Sequence, residues 1–600
     1  MTQQIRPSQF ITTYGPGSIL ESLNGPRIIP NADIGLYNLW FKISDYRIND
    51  QRMSKGLLHG ASIYRLPSNA ETGQNQTKPL YFTKSFPSWK LCLNWSNHHG
   101  NYYVLTENSV CPVCKVKPPK SMEAIRFIVA CSDGHMDDFD WNYFVHGNSS
   151  SCNNVDWFKW YGGGGSLSKI YVECPSCNRR SINMGEAYKQ KWRCSGRFPE
   201  REPLDSAPQK LGGCNRGASI IQRQASNLRI PELRTLFSIP PHTTVLHNQL
   251  SIPEIKGAII AKTPKNSEEL QQTLGKLKDE NCISANTLAD ILYNPWSDIK
   301  MAISELYSNE AITSYRDLIL EEFHRLEEAS INGAPPVRGQ YPKSRPVFQV
   351  DPNLIKLFNG PGGHSLRVTP IETLRTVVVQ YGYRREVDSS IKARARIIPV
   401  DSPDLQDPYK KWFPGVEFFG EGIFIRLDDP GSMSPFKGEA STEWNKAAAS
   451  AGVYNSVLFR DPNHQDELDP HFVWWHTLSH LLIRAISTEA GYSSASIRER
   501  VYFEADKTLT RGGILLYATQ PGNEGTLGGL IALVPYFQDI LDTAFRNLST
   551  CSTDPLCIEH RFKLGEYNGA ACYGCLLTSE TSCEHRNMYL DRNLLLENLP

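Results

Sequence analysis

The placement of fifteen cysteines constrains this 600-residue chain more than any other feature. Cys174, Cys177, Cys194 and Cys214 form one spaced set, C-x2-C-x16-C-x19-C. The last fifty residues hold another, with Cys551 and Cys557 followed by Cys572, Cys575 and Cys583. A C-x2-C pair stands at the ends of one tight turn, from which both thiolates reach a single tetrahedral ion. A second pair from farther along closes the sphere. Disulfides are the competing use of such residues. The opening MTQQIRPSQF lacks a basic start followed by an apolar core, so no secretory signal is expected and the spacings are read as metal sites. One zinc is expected on Cys174, Cys177, Cys194 and Cys214. A second is expected on Cys557, Cys572, Cys575 and Cys583, with Cys551 as the alternative first ligand.

A third, less regular candidate lies earlier. Cys92 is followed by CPVC at 111–114. With Cys111 and Cys114 as two ligands, Cys92 would supply a third and His98 or His99 a fourth. Cys131, His135 and Cys152 are also near in sequence. Buried free thiols, which pack as small apolar residues, are the other use open to Cys92 and Cys131.

His476-Thr-Leu-Ser-His480 puts two imidazoles at i and i+4 on an expected helix, the spacing of a zincin protease. The glutamate base that should follow the first histidine is replaced by Thr477, so a metal-bound water would lack its proton acceptor. Phe472, Val473, Trp474 and Trp475 before it, and Leu481, Leu482 and Ile483 after it, point to a buried helix. Its histidines are expected to be satisfied by core hydrogen bonds. There is no G-x4-G-K-[ST] phosphate loop, and Gly525-Thr-Leu-Gly-Gly-Leu530 has neither the G-x-G-x-x-G spacing nor a lysine. Asp133, Asp137, Asp138 and Asp140 match no EF-hand loop and are read as solvated or bonded to turns.

Lys+Arg and Asp+Glu both number 63, and a zero balance argues against a free-standing, strongly basic nucleic-acid binder. No stretch approaches the ~18 apolar residues of a membrane helix. One segment departs from neutrality. Between Lys169 and Arg234, thirteen Lys/Arg face six acids, a local balance of +7. Tyr188, Trp192 and Phe198 are interleaved with these charges. That mixture suits phosphate contacts and base stacking as well as a solvated knuckle surface. Arg179, Arg180, Lys191, Arg193 and Arg197 are the candidate DNA contacts, and Arg384, Arg385, Lys392, Arg394 and Arg396 form a weaker run.

The pattern along the chain predicts an α+β multidomain protein. Residues 1–105 read as a mixed N-terminal domain and 106–240 as a zinc-knuckle or ribbon module. Residues 241–345 form a helical insert and linker, in which Asn266 with Glu269 looks like a capping box before Leu270, Leu274 and Leu277. Tyr315, Leu318, Ile319, Phe323 and Leu326 make a second helical face, read as core-facing. Residues 346–435 look β-rich, with Thr376-Val-Val-Val-Gln and Gly422-Ile-Phe-Ile-Arg as strands, and 436–600 are a mixed α/β zinc-binding domain.

These motifs together resemble the DrmB family of DISARM anti-phage systems. The resemblance rests on RPSQ and TYGPGS at the start, RFIVACSDGHMDDFDW at 126–141 and the 174–214 cysteines. It continues through GEGIF at 420–424, HTLSHLLIR at 476–484 and EGTLGGL at 524–530, and ends with AACYGCLLTSETSCEHRNMYLDR at 570–592. That ending resembles the MrfA-like zinc-binding domain. The resemblance implies a cytoplasmic, non-catalytic subunit. It would bind a DrmA-like superfamily-2 helicase and help it engage invading DNA, including single-stranded ends. Zinc is the implied cofactor, and no membrane partner is expected. The chain departs from the family at one point. After Phe86-Pro87-Ser88-Trp89 relatives carry a C-x2-C pair, but here Cys92 is kept and Trp95 holds the second place. That site is either lost or completed by His98 or His99. The competing reading of the whole chain is a zinc-dependent hydrolase, such as a nuclease, centred on His476 and His480.

Overall fold

In the computed structural model the short extended runs of the N-terminal third pair into three small antiparallel sheets. The structure describes residues 5–36, 43–50, 52–69, 71–72, 79–98, 100–116, 122–148, 152, 156–162, 165–239, 245–307, 315–338, 346–387, 395–404, 410–433, 435–450, 467–505, 509–521, 529–563 and 566–600. The chain packs as two units. One comprises Met1–Arg47, Ser62–Arg234 and Val379–Val416; the other comprises Ile48–Ala61, Thr235–Val378 and Glu417–Pro600. Their segments alternate along the chain. The fold class is α+β, as the sequence predicts.

In the first unit a five-stranded sheet has the order Tyr171–Glu173, Trp157–Tyr161, Tyr103–Thr106, Lys90–Cys92, Met122–Ala124. A three-stranded sheet runs Ser219–Gln222, Phe127–Ala130, Met136–Asp138, and another is formed by Ile19–Ser22, Gly25–Ile28 and Lys84–Ser85. The strands are short, and aromatic side chains supply the largest members of the shared core. Strand Trp157–Tyr161 alternates, turning Phe158 and Trp160 inward onto Phe127, Trp141 and Ile170. Lys159 faces the other way and pairs with Glu173 at 3.1 Å. Asp140 caps the helix Trp141–His146 by accepting from the Tyr143 amide at 2.9 Å.

The second unit has larger elements. Five helices between Val245 and Tyr307 enclose Leu250, Ile255, Leu270, Leu274 and Ile291. Asn266 caps the third of them, Ser267–Asp279, through the Glu269 amide at 2.9 Å. Helix Tyr315–Asn332 buries Leu318, Phe323 and Leu326. The principal sheet has the order Ala334–Arg338, Pro346–Val350, Ser365–Arg384, Lys411–Leu427, Thr510–Pro521, Arg498–Ala505, and its two long strands contain the segments at 376–380 and 422–426. Helix Pro470–Ala490 is buried along most of its length, capped by Asp469 at one end and ended by Gly491 at φ 69°. Beneath the sheet edge, Arg500 pairs with Glu322 and Glu584, each at 2.8 Å. The glycine-rich 525–530 stretch lies outside the described residues except Gly529 and Leu530, whose amide is held by Glu421 at 2.9 Å.

Candidate metal centres and the basic segment

Four groups of cysteine and histidine side chains converge in the described residues, each with its donor atoms within 4.8 Å of one another. The CPVC knuckle is the simplest to build. Lys115, in the left-handed region at φ 60°, donates its amide to the Cys111 carbonyl at 3.0 Å, turning both thiols to one side. Cys92, at the end of strand Lys90–Cys92, stands 3.6 Å from Cys114, and His98 Nε2 stands 3.6 Å from Cys111. His98 Nδ1 faces the Tyr102 carbonyl at 3.0 Å, so its proton belongs there and Nε2 keeps a free lone pair. Cys92, His98, Cys111 and Cys114 therefore form one group; His99 lies outside the described residues. Trp95, half exposed, belongs to the short turn Trp95–His98 that brings His98 inward.

The expected 174–214 set is divided. Cys174 and Cys177 gather with His146 and Cys152: Cys152 is 3.6 Å from Cys174, and Cys177 is 3.5 Å from His146 Nε2. Cys194 and Cys214 gather instead with Cys131 and His135: Cys131 is 3.7 Å from Cys194, 4.0 Å from Cys214 and 3.2 Å from His135 Nδ1. Strand pairing is the reason. The pairing of Tyr171–Glu173 with Trp157–Tyr161 places its knuckle in the five-stranded sheet. The pairing of Ser219–Gln222 with Phe127–Ala130 places Cys214 beside the Cys131–His135 turn of the other sheet. That turn needs Gly134 at φ 87°, where a Cβ would fall 2.3 Å from Ile398. His146 was not among the sequence candidates. Its signal is a histidine and a lone cysteine six residues apart ahead of a C-x2-C knuckle, the spacing also seen, in the opposite order, at Cys92 and His98.

The C-terminal set also differs from expectation. Cys551, Cys557, Cys572 and Cys575 converge, with Cys551 3.3 Å from Cys572 and Cys575 3.7 Å from Cys557 and 3.8 Å from Cys572. Cys583 is not in this group; its thiol is buried 3.3 Å from His476 Nε2.

These donor sets fit zinc. Zn–S bonds of about 2.3 Å and Zn–N bonds of about 2.0 Å imply tetrahedral edges of roughly 3.3–3.8 Å, close to the 3.2–4.0 Å separations given above for the four groups. They are far beyond the ~2.05 Å of a disulfide. The local fields divide the thiols. Cys131 is held down to about 4, first by its hydrogen bond with Cys194. Burial opposes ionisation of Cys174, but the amides of Cys177 and Ser176 outweigh it and hold the thiol at about 6. Burial likewise opposes Cys572, which Thr553 and Cys551 bring to about 6. Other thiols move the other way: burial pushes Cys92 up to about 12 and Cys575 up to about 11. A divalent cation lifts that mutual opposition of crowded thiols.

The basic segment separates by burial. Arg179, Arg180, Lys191 and Arg193 are exposed. Arg180 pairs with Glu173 at 2.9 Å and lies over the Tyr171 ring, and Lys191 bonds Ser219 at 2.9 Å. Arg197, expected beside them, is 2% exposed and clamped by Asp137 at 2.6 Å and Glu202 at 2.8 Å, so it cannot reach a phosphate. Trp192 packs edge-on against Phe139 and Phe144, and Tyr188 against Phe127; both serve the core rather than a stacking platform. In the second run Arg384 is paired with Glu232, and Arg385 is fully buried on the carbonyls of Gly134, Gly17 and Leu228. Lys392 and Arg394 lie outside the described residues. Of the acids, Asp138 accepts from the Ser88 amide and hydroxyl, Asp140 caps its helix, and Asp133 pairs with Arg216 at 2.6 Å.

Comparison with known proteins places these features in context. Residues 6–230 match the family described as a domain of unknown function, DUF8724, and residues 478–576 match the MrfA Zn-binding domain. All four cysteines of the C-terminal group fall within the second match. Among solved structures, the DUF1998 helicase MrfA bound to DNA is matched at a TM-score of 0.20 and 11% identity over 42% of this chain. The chain spans only 25% of that helicase. Among the described residues no helix is long and apolar enough to cross a membrane. The resemblance read from the sequence is borne out: over 86% of its length the chain is similar to the DISARM protein DrmB of Bacillus paralicheniformis, 26% identical over 552 residues and 88% of that protein, and it ends in a region similar to the MrfA Zn-binding domain.

Proposed function

We propose that this chain is a zinc-stabilised, non-catalytic subunit of an anti-phage defence complex, binding a DrmA-like superfamily-2 helicase in the cytoplasm and helping it engage invading DNA. The similarity to a DISARM protein through most of both chains carries this reading. The four metal groups support it, because each supplies four protein donors and so leaves no coordination position for substrate or water. Zinc bound there would contribute folding free energy, while the cysteines, His98, His135 and His146 hold the local turns in place. The exposed Arg179, Arg180, Lys191 and Arg193 would meet DNA phosphates beside the helicase, without base readout.

A hydrolase centred on His476 and His480 needs a metal with an open position beside a cavity. Both imidazoles are fully buried, which favours the subunit reading. Co-expression with a DrmA-like helicase of the same defence locus, followed by affinity capture, tests the proposal. A stable complex that binds DNA more tightly than helicase alone is expected. No co-purification, or ATP-independent cleavage of DNA by this chain alone, would overturn it.

A further inference from the structure

Beside the four groups of the zinc-binding reading, the second unit contains a fifth convergence that uses the two histidines of the central helix. His476 and His480 sit one turn apart on helix Pro470–Ala490, their rings edge to face at 4.7 Å. Each presents Nδ1 to a carbonyl: His476 to Tyr589 at 3.2 Å, His480 to Leu576 at 3.0 Å. A carbonyl only accepts, so both rings carry their proton on Nδ1 and turn a bare Nε2 lone pair the other way.

Those two lone pairs meet a carboxylate and a thiol. Glu499, on strand Arg498–Ala505, brings Oε1 to 2.8 Å from His476 Nε2 and 3.5 Å from His480 Nε2. Its other oxygen receives the Ser479 hydroxyl, which fixes the carboxylate's orientation. Cys583 lies 3.3 Å from His476 Nε2, and its sulfur accepts the Asn587 amide at 3.2 Å. Neither His480 Nε2 nor Glu499 Oε1 makes a hydrogen bond, although both are shut away from solvent. The neighbouring His585 turns its Nδ1 to Glu467 at 2.9 Å. Two imidazole lone pairs, a carboxylate and a sulfur thus face one point from which water is excluded. An imidazole nitrogen and a carboxylate oxygen buried without hydrogen bonds are costly unless a cation sits among them.

We propose that His476, His480, Glu499 and Cys583 hold a structural zinc ion distinct from the four cysteine-rich groups. Two nitrogens, one oxygen and one thiolate are the donor classes zinc takes, and their two negative charges match a divalent ion. Four protein donors close the sphere, so the site is a staple rather than an active centre. It joins the central helix to strand Arg498–Ala505 and to the loop after the cysteine knuckle. The H-x3-H spacing that suggests a protease here belongs to a closed site, with Glu499 a ligand and not a base.

The test uses full-length protein purified without chelator. Anomalous diffraction across the zinc edge should place a peak among the four side chains, separate from peaks at the four cysteine-rich groups. Native mass spectrometry should count five zinc ions, one for each group. Glu499→Gln should lose one equivalent and keep the others. Peaks at the cysteine-rich groups with none here, and a count of four, would overturn the proposal even if Glu499→Gln fails to fold. A peak that follows the edge of another metal would overturn the choice of zinc. Because each site is read separately, failure here is distinct from failure of the zinc-scaffold reading.

Discussion

The metal groups of residues 92–214 and those of residues 476–583 are built on different foundations. In the first region three Cys3His groups are set among strands of only three to five residues, and five of their cysteines belong to or pack against one aromatic core. In the second, a 21-residue buried helix and a long-stranded sheet already supply an extensive aliphatic core around the donors. Where apolar burial is thin, metal coordination has to stand in for core; where it is ample, metal fixes a local loop on a scaffold that exists without it.

That contrast is open to direct attack. Removing a ligand of the first region should have the largest effect: Cys174→Ser is expected to cost on the order of 5 kcal/mol and to unfold the surrounding sheet. Thermal unfolding with zinc analysis would show it, and loss of zinc without loss of structure would break the comparison. Next comes Arg197→Ala, which leaves Asp137 and Glu202 buried without their cation and should cost about 3–5 kcal/mol. Urea denaturation reads that cost, and an unchanged midpoint would refute the buried assignment. Cys575→Ser should cost less, about 2–4 kcal/mol, because the central helix keeps its packing. Limited proteolysis should show cutting confined to about 551–577; collapse of the whole unit would erase the difference between the regions.

Surface charge should matter to DNA and not to folding. Arg179→Glu with Arg180→Glu should leave the unfolding midpoint within about 0.5 kcal/mol of wild type, while weakening DNA binding by the helicase complex across all sequences. Each lost phosphate contact lowers the salt slope by about one, and an unchanged slope would place DNA elsewhere. The smallest effect concerns pH. Burial, and then the neighbouring Asp137, push the Asp138 carboxyl up to about 6. A carboxyl raised on folding holds its proton more tightly in the folded protein. Its contribution is therefore full below the unfolded value of ~4 and is lost as pH rises through about 6. Asp138→Asn should flatten the stability profile relative to wild type, by about 1 kcal/mol between pH 5 and 7. Parallel profiles would remove Asp138 as the cause.

Much of this was legible before any coordinates. The knuckles at 111–114 and 174–177, the buried helix at 470–490 and the stripes at 270–277 and 315–326 follow from spacing and period, which act within one or two turns of chain. The basic segment was legible only as composition. Counting charges could not show that Arg197 folds inward onto two carboxylates while Arg179 stays outside, because that depends on what the next strand brings beneath it. The histidines at 476 and 480 were legible as a buried pair bonded within the core, and their Nδ1 atoms are so bonded. What converges on their Nε2 atoms was not, since Glu499 and Cys583 arrive from other elements.

The sequence by itself marked the knuckle cysteines and the pair His476 and His480 as candidate donors, because a C-x2-C turn and an i, i+4 histidine pair are local geometry written in residue order. Only the tertiary structure decided which donors share a site. Cys152 meets Cys174, Cys131 meets Cys194, and Cys583 leaves its neighbours for His476. Partners separated by 22, 63 and 107 residues are chosen by strand pairing and helix packing, whose register no local spacing encodes.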